Sequence, residues 1–266
     1  MTSRSSSAPP TTGDDTVESE YIDAPDEDLP EPPNRVLTEA LRLREAGFEP
    51  FPLPAGKKSP PPKGVTGWSG VGLSTADLWA LLAYASDSNL GIRFPRGAVG
   101  IDIDQYGEKR GWDDMQAEQR RLGAELPPTW RMTAREDDKN GIRLYRVSDD
   151  VVLKGKPLGA GASVEALQFS HRYGFCPPSL HPDLGRPVRW FSPDGIESLV
   201  PPRVEDLTWL PEVFVRNWSE DAESARSAAG ERATWVDVDD DEALTWIAEL
   251  DQINSGGEGR ALILCG

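Results

Sequence analysis

At the centre of this chain, the stretch Val99-Gly100-Ile101-Asp102-Ile103-Asp104 combines a β-branched apolar run with two carboxylates. Successive side chains of a β-strand point to opposite faces, so Asp102 and Asp104 share one face. The other face then carries the apolar side chains of Val99, Ile101 and Ile103. The stretch therefore predicts a strand with one face in a core and two neighbouring carboxylates on the other.

Two like charges this close repel each other, and a divalent cation between them would remove the repulsion. Hard cations such as Mg²⁺ bind carboxylate oxygens and keep open positions for phosphates. The alternative is a strand whose exposed face is merely acidic. The Asp-x-Asp pattern alone does not decide between a metal site and an acidic surface.

The formal net charge of −17 comes from the two ends of the chain. Residues 1–33 carry nine acidic side chains and one basic side chain, and residues 219–266 carry twelve acidic and three basic ones. Residues 34–218 hold 24 of each sign and are neutral overall. A neutral domain can still concentrate Lys and Arg in one cleft, so the acidic composition does not exclude an anionic ligand.

Composition divides the chain into three parts. Residues 1–33 are Ser, Thr, Pro and acidic residues with almost nothing to bury, which predicts a disordered acidic tail. Residues 34–218 predict an ordered domain, and residues 219–266 an acidic linker and the start of a helical segment over 240–253. The sequence has two cysteines, no signal-peptide core and no apolar stretch of membrane-span length, which predicts a cytoplasmic protein without a membrane partner.

Local patterns predict helices and strands within the ordered domain. Helices are expected after Asn34, after the capping residue Ser74, and around Trp112. Apolar runs predict strands over 48–53, 89–94, 98–104, 163–169 and 173–176. We expect the strands over 89–94 and 98–104 to form one hairpin, and Asn140-Gly141 to mark another.

Four features follow one another along this domain. They are the loop Gly56-Lys57-Lys58, the Asp-x-Asp strand, the segment Gly141-Ile142-Arg143, and a strand with Glu165 that leads to Pro177-Pro178-Ser179-Leu180-His181. In this order the chain resembles the bifunctional DNA primase/polymerase N-terminal (prim-pol) domain of the archaeo-eukaryotic primase superfamily. The resemblance covers Leu37 to Trp190, and Pro-Pro-Ser-x-His together with Asp-x-Asp is its most specific part.

The resemblance implies an α+β fold. In this fold a small αβ subdomain packs on an antiparallel sheet like that of RNA-recognition motifs, with the catalytic cleft between them. It also implies a DNA-dependent primase/polymerase over residues 34–218, which performs two-metal nucleotidyl transfer on a single-stranded DNA template. The implied cofactor is Mg²⁺ or Mn²⁺, and the implied partners are nucleoside triphosphates and a replicative helicase in cis or in trans. The implied setting is the replication of bacterial, plasmid or phage DNA.

The resemblance also assigns site residues. The catalytic, metal-binding carboxylates correspond to Asp102, Asp104 and Glu165, although family members commonly carry Asp where this chain has Glu165. The phosphates of the nucleotide are assigned to four side chains, Arg143, Lys57, Ser179 and His181.

The chain departs from the family at the second motif. The family pattern ends in Gly-Gly-x-His, whose histidine binds the phosphates of the incoming nucleotide, whereas this chain has Asn140-Gly141-Ile142-Arg143. A guanidinium is permanently charged and can bind phosphate oxygens through two N–H groups, so Arg143 could replace the histidine. It cannot exchange a proton near neutral pH. The insert over 135–139 also brings three acidic residues next to the motif, which argues for reduced activity.

Two other functions are compatible with these residues. One is a catalytically weakened primase-like module that binds nucleotide or DNA in a replication initiator, which Arg143 and the acidic insert favour. The other is a metal-dependent phosphodiesterase that uses the same carboxylates, although the chain has only two histidines and lacks a histidine-rich metal set. Binding without turnover would distinguish the first, and the reaction product would distinguish the second.

Overall fold

The computed structural model describes residues 31–221 of the chain. The helix expected over 240–253, and all but a few residues of the expected tail and linker, lie outside this range. Within residues 31–221 the chain forms four α-helices and eleven β-strands, a mixed fold consistent with the α+β class.

The helices are α1 (Arg35–Glu45), α2 (Thr75–Leu82), α3 (Gly111–Leu122) and α4 (Glu212–Trp218). The strands are β1 (Glu49–Leu53), β2 (Asn89–Arg93), β3 (Ala98–Ile103), β4 (Arg131–Thr133), β5 (Gly141–Arg146), β6 (Val164–Leu167), β7 (Tyr173–Cys176), β8 (Leu180–His181), β9 (Arg186–Pro187), β10 (Arg189–Phe191) and β11 (Glu197–Ser198).

Side chains that accept backbone N–H groups begin the first two helices, as the sequence predicts. The carboxamide oxygen of Asn34 accepts the N–H of Leu37 at 2.9 Å, and its amide nitrogen donates to the carbonyl of Leu82 at 2.8 Å. Ser74 and Asp77 form a reciprocal capping box at the start of α2. These contacts satisfy N–H groups that have no partner inside the helix, and Asn34 also ties the start of α1 to the end of α2.

The strands form two main sheets in which all neighbours are antiparallel. The first sheet has the order β1-β2-β7, and the second has the order β11-β10-β4-β5-β3-β6. The hairpin expected at Asn140-Gly141 is confirmed as the β4–β5 pair, with residues 134–140 between the strands.

The hairpin expected between the strands over 89–94 and 98–104 is wrong. Both strands form, but β2 pairs with β1 and β7 in the first sheet, and β3 pairs with β5 and β6 in the second. The ring of Phe94, just after β2, lies on the face of β3, where a Cβ on Gly100 would be 2.6 Å from it. The two strands therefore stack face to face instead of lying side by side, and Gly100 makes this close approach possible.

Two apolar cores lie on opposite faces of the six-stranded sheet. The inner face packs against α1, α2 and the three-stranded sheet, with Leu37, Leu82 and Ile92 opposite Met132 and Trp190. The outer face packs against α3 and α4 through the side chains of Val99, Ile101, Tyr145, Met115, Phe214 and Trp218. The alternation expected for residues 99–103 is thereby confirmed for the apolar residues of β3.

One row of side chains crosses the inner face of the six-stranded sheet and changes character along the way. In cross-strand register the row runs Trp190, Met132, Ile142, Asp102, Glu165. It is apolar over β10, β4 and β5, and it is acidic over β3 and β6. This change of character marks the place where the inner face opens into a cavity.

Candidate active site

Asp102 and Glu165 stand directly opposite each other on the paired strands β3 and β6. Side chains in such pairs have Cβ atoms about 5 Å apart, so the two carboxylates repel. The pKa of Asp102 is raised from 3.8 to about 7, first by burial and then by the charges of Asp104 and Glu165. A cation at this point would relieve the repulsion.

Asp104 lies at the start of the loop between β3 and α3. Its backbone N–H donates to the carbonyl of Ser163 at 3.0 Å, and its carbonyl accepts the N–H of Gly111 at 2.8 Å. Its carboxylate receives Nζ of Lys109 at 2.5 Å, and the same ammonium donates to the hydroxyl of Tyr106 at 2.9 Å. The loop is thus closed at both ends, and Asp104 has a cation partner within it.

Glu165 also has cation partners. Nζ of Lys156 lies 2.5 Å from one carboxylate oxygen, and Nε of Arg172 lies 3.5 Å from the other. Among residues 31–221, no three Asp, Glu, His or Cys side chains converge closely enough to form a ready metal cluster. The donor set nevertheless fits a hard divalent cation, because it consists of three carboxylates around a repulsive centre at Asp102. Lys109 and Lys156 form ion pairs with two of the carboxylates to which such a cation would bind.

The acidic row borders a cavity of about 430 Å³ between the two sheets. Three carboxylates line it, together with four cationic side chains, Lys58, Lys109, Arg135 and Arg172. Tyr106 and His181 line it as well. Carboxylates on one side and an excess of cations around them suit a ligand that carries both metal ions and phosphates.

Lys58 and His181 form a pair on the wall opposite the carboxylates. Nζ of Lys58 lies 2.7 Å from Nε2 of His181, and the ammonium lies 5.7 Å from the ring centre of Phe175. An ammonium can only donate, so Nε2 accepts and the imidazole is neutral. Burial lowers the pKa of both groups, and the charge of Lys58 lowers that of His181 further.

The acidic insert after β4 faces away from the cavity, except for its first residue. The carboxylate of Asp137 accepts the N–H groups of Lys139 and Asn140 at 3.0 and 2.9 Å, and Glu136 pairs with Arg186 at 2.9 Å. Arg135 lines the cavity, and its guanidinium lies 3.7 Å from the ring centre of Tyr106. The insert therefore brings a cation to the cavity, and the carboxylates of Glu136 and Asp137 are engaged elsewhere.

Arg143 does not join the other predicted site residues. It pairs in register with Ile101, so it lies on the outer face of the sheet, 5.0 Å from the ring centre of Trp112. Ile142 is the residue of β5 that stands beside Asp102. The sheet separates this guanidinium from the cavity, so the structure does not bring Arg143 to the carboxylates as the sequence analysis expected.

Two further predicted phosphate ligands also lie outside the cavity. Lys57 is exposed, and its carbonyl accepts the side-chain N–H of Asn89 at 2.9 Å. The hydroxyl of Ser179 is buried, accepts the N–H of Leu90 at 2.6 Å and donates to the carbonyl of the same residue at 3.2 Å. Ser179 holds the segment after β7 against β2, which is a structural role.

The structure thus brings together Asp102, Asp104, Glu165 and His181 of the predicted residues. It adds Lys58, Arg135, Arg172 and Tyr106, which the sequence analysis did not assign. Lys58 is adjacent to Lys57 in a loop without periodicity, so no pattern indicates which lysine points inward. Tyr106 and Arg135 are close in sequence to recognised motifs, and this proximity is the only sequence signal that they carry.

We expect Ser179→Ala to destabilise the domain without changing nucleotide binding. The alanine leaves the buried N–H of Leu90 without its acceptor, which costs about 1 to 3 kcal/mol. Thermal unfolding should show a lower Tm, whereas the exposed control Ser148→Ala should match the parent. A nucleotide affinity that falls together with the Tm would contradict the structural role.

A family comparison agrees with this site. The model of the family "Bifunctional DNA primase/polymerase, N-terminal" (Prim-Pol) matches residues 40–213, which is most of the chain. The chain therefore belongs to the Prim-Pol family. Membership implies primase/polymerase-type nucleotidyl transfer in replication, with nucleic acid and nucleotides as substrates, and enzymes of the family generally depend on metal ions.

A search of curated proteins gives no match to this chain. None of the helices within residues 31–221 combines the length and the apolar character that crossing a bilayer requires.

Proposed function

We propose that this domain is a DNA-dependent primase/polymerase that joins nucleotides on a single-stranded DNA template by two-metal nucleotidyl transfer. The observation that carries the proposal is the single cavity in which Asp102, Asp104 and Glu165 face Lys58 and Arg135. In a polymerase site, carboxylates hold the metal ions and cations hold the triphosphate. The cavity offers both kinds of group.

The three carboxylates would hold Mg²⁺ or Mn²⁺. Bound there, the metal ions would neutralise the charge that develops at the α-phosphate when a 3′-hydroxyl attacks it. The protein supplies the oxygen donors and keeps them close in spite of their repulsion, as the raised pKa of Asp102 indicates. Because Lys109 and Lys156 contact Asp104 and Glu165, each ammonium would be released when its carboxylate turns to a metal.

The cationic residues would bind and orient the triphosphate. Lys58, Arg135 and Arg172 reach the cavity from three different segments of the chain, so they can contact different phosphate groups. Neutral His181 adds an N–H at Nδ1, which lies 3.9 Å from the carboxylate of Asp183 and has no hydrogen-bond partner within residues 31–221. These side chains would take over the phosphate contact that the family's histidine makes.

The two sheets would correspond to the two subdomains of the prim-pol fold, with residues 34–218 as the catalytic unit. We also propose that the single-stranded template enters at the open side of the cavity, and that a replicative helicase acts with the domain in cis or in trans.

A weakened, nucleotide-binding module is the second candidate. One observation favours it: within the described part of the chain, β5 presents Ile142 to the carboxylates, and no imidazole stands there. Such a module would bind nucleotide in the same cavity without joining it to a primer.

Primer synthesis distinguishes the two candidates. The full chain is incubated with single-stranded DNA, labelled ribo- or deoxyribonucleotides and Mg²⁺ or Mn²⁺, and the products are separated by length. Template-dependent oligonucleotides support the primase/polymerase. Nucleotide binding without product supports the weakened module, and degradation of the template would point to a phosphodiesterase.

We expect Glu165→Gln to weaken metal binding. The amide lacks the charge that a hard cation requires, so calorimetry should show Mn²⁺ affinity lower by about tenfold or more. Glu197→Gln is a matched control, because Glu197 is an ion-paired glutamate on β11 of the same sheet, 3.1 Å from Arg189. Equal Mn²⁺ affinity in the two variants would exclude Glu165 as a ligand.

A further inference from the structure

We propose that Arg143 is a positioning residue, which acts from the outer face of the sheet to fix the loop over residues 134–140, here named the β4–β5 loop. The loop carries Arg135 into the cavity and contacts the backbone next to Asp104. This inference rests on the proposed function, since the fixed loop matters through the nucleotide that Arg135 binds.

Arg143 directs its guanidinium at backbone carbonyls of this loop. Nη2 donates to the carbonyl of Asp138, and Nη1 donates to the carbonyl of Lys139 at 3.2 Å. The face of Trp112 supports the guanidinium from the side of α3. Hydrogen bonds from a charged donor are stronger than neutral ones, so these contacts hold the loop firmly.

A second guanidinium completes the arrangement. Arg131 stands opposite Arg143 in register on β4 and donates to the carbonyls of Asp137 and Asn140 at 2.7 and 2.8 Å. Four consecutive carbonyls, those of residues 137–140, therefore accept from two arginines. Like charges directly opposite each other on paired strands repel, and the converging carbonyl dipoles offset this repulsion. Burial lowers the pKa of both side chains, to about 10 for Arg143.

The other side of the β4–β5 loop is hydrogen-bonded to the loop between β3 and α3, which begins at Asp104. The buried side chain of Asn140 accepts the N–H of Gln105 at 2.7 Å and donates to the carbonyl of Gln105 at 3.0 Å. Gln105 follows Asp104 directly. Arg135 adds a stacking contact with Tyr106 in the same loop. A continuous set of contacts thus links the outer-face arginines to both a carboxylate and a cation of the cavity.

The two arginines Arg143 and Arg135 therefore have different roles. Arg143 orders the β4–β5 loop, and Arg135, presented by that loop, contacts the phosphates. A loop that is ordered before the ligand arrives loses less conformational entropy on binding, so the nucleotide binds more tightly. Lysine at position 143 would keep the charge but lose the fork that reaches two carbonyls.

Hydrogen exchange tests the proposal on the full chain without nucleotide. In Arg143→Ala, the amides of Lys139 and Asn140 should exchange about tenfold faster or more, because their loop opens more often. Arg143→Lys should give an intermediate rate. The matched control is Arg146→Ala, because Arg146 also lies on β5. Its guanidinium lies 4.6 Å from the ring centre of Trp209 and donates to the carbonyl of Glu205. Its exchange in residues 134–140 should equal that of the parent.

Binding of a fluorescent nucleoside triphosphate in Mn²⁺ gives the second readout. We expect affinity about fivefold to tenfold lower in Arg143→Ala and unchanged in Arg146→Ala, with Arg143→Lys between them. Unchanged loop exchange, or faster exchange with unchanged nucleotide affinity, would overturn the proposal. If Arg143→Ala does not fold, Arg143→Lys decides the proposal alone, because lysine keeps the charge and loses the fork that reaches two carbonyls. A parent that binds nucleotide but makes no primer contradicts the proposed enzyme alone, and the exchange measurement still decides the role of Arg143.

Discussion

Asp102→Asn is expected to abolish nucleotide incorporation and, at the same time, to stabilise the metal-free protein above pH 7. The loss of a metal ligand removes several kcal/mol of transition-state stabilisation, so we expect a rate at least about 100-fold lower. The gain in stability has a separate cause, which is the cost of holding this carboxylate ionised beside Asp104 and Glu165.

The sign of the stability effect follows from the raised pKa. Between the ordinary value of 3.8 and about 7, Asp102 is ionised in the unfolded chain and protonated in the folded one. Stability therefore falls as the pH rises through this range, and the deficit is complete above pH 7. One pKa unit corresponds to about 1.4 kcal/mol, and part of the shift belongs to the neighbouring carboxylates, so we expect a deficit of about 2 kcal/mol.

Calorimetric unfolding at pH 5 and pH 8, with a chelator present, measures this effect. Asp102→Asn should raise the Tm by about 4 to 8 °C at pH 8, and by less at pH 5. Asp194→Asn, at an exposed turn between β10 and β11, serves as the control and should behave like the parent. A variant that keeps more than about a tenth of the parent's incorporation rate would contradict the catalytic assignment. An unchanged Tm at pH 8 would contradict the electrostatic account.

Lys58→Ala is expected to weaken nucleotide binding strongly, whereas Lys57→Ala is not. Lys58 lines the cavity beside His181, whereas its neighbour Lys57 does not belong to the cavity lining. A charged hydrogen bond to phosphate contributes about 1.5 to 3 kcal/mol, so the KM for nucleotide should rise about 10- to 100-fold in Lys58→Ala.

The two lysines provide an internal control, because they are adjacent in one loop and carry the same charge. Steady-state incorporation at varied nucleotide concentration gives the KM for nucleotide of each variant. Equal changes in KM for the two variants would mean that the loop attracts nucleotide only through its general charge. A higher ionic strength would then abolish both effects together.

Local patterns predicted what depends on neighbours in sequence. The alternation in residues 99–104 gave the acidic and apolar faces of β3, and the caps at Asn34 and Ser74 gave the starts of two helices. These features follow from hydrogen bonds and side-chain directions within a few residues. The family resemblance extended the prediction to Glu165, which the structure places opposite Asp102.

Features that depend on strand register or on contacts between distant residues could not be predicted from local sequence. Arg143 faces outward because β5 pairs with β3 so that Ile142, one residue earlier, stands beside Asp102. A shift of one residue would have reversed the two, and no local signal fixes it. The hairpin expected over 89–104 was wrong for the same reason. Local sequence shows Gly100 only as part of a strand, whereas in the structure this glycine leaves room for the ring of Phe94 from the other sheet.

Ser179 shows a different limit. Its place in a family motif suggested contact with the nucleotide, but the hydroxyl bonds to both backbone groups of Leu90, 89 residues earlier in the chain. A motif residue can be required for the shape of a site without touching its ligand.

Crystals grown with Mn²⁺ and a non-hydrolysable nucleoside triphosphate would show directly which side chains hold the metal ions and the phosphates, because the anomalous signal of manganese locates the metal ions. We expect manganese peaks bounded by the carboxylates of Asp102, Asp104 and Glu165, with the triphosphate extending towards Lys58 and Arg135. Manganese bound elsewhere, or a triphosphate on the outer face beside Arg143, would contradict this expectation.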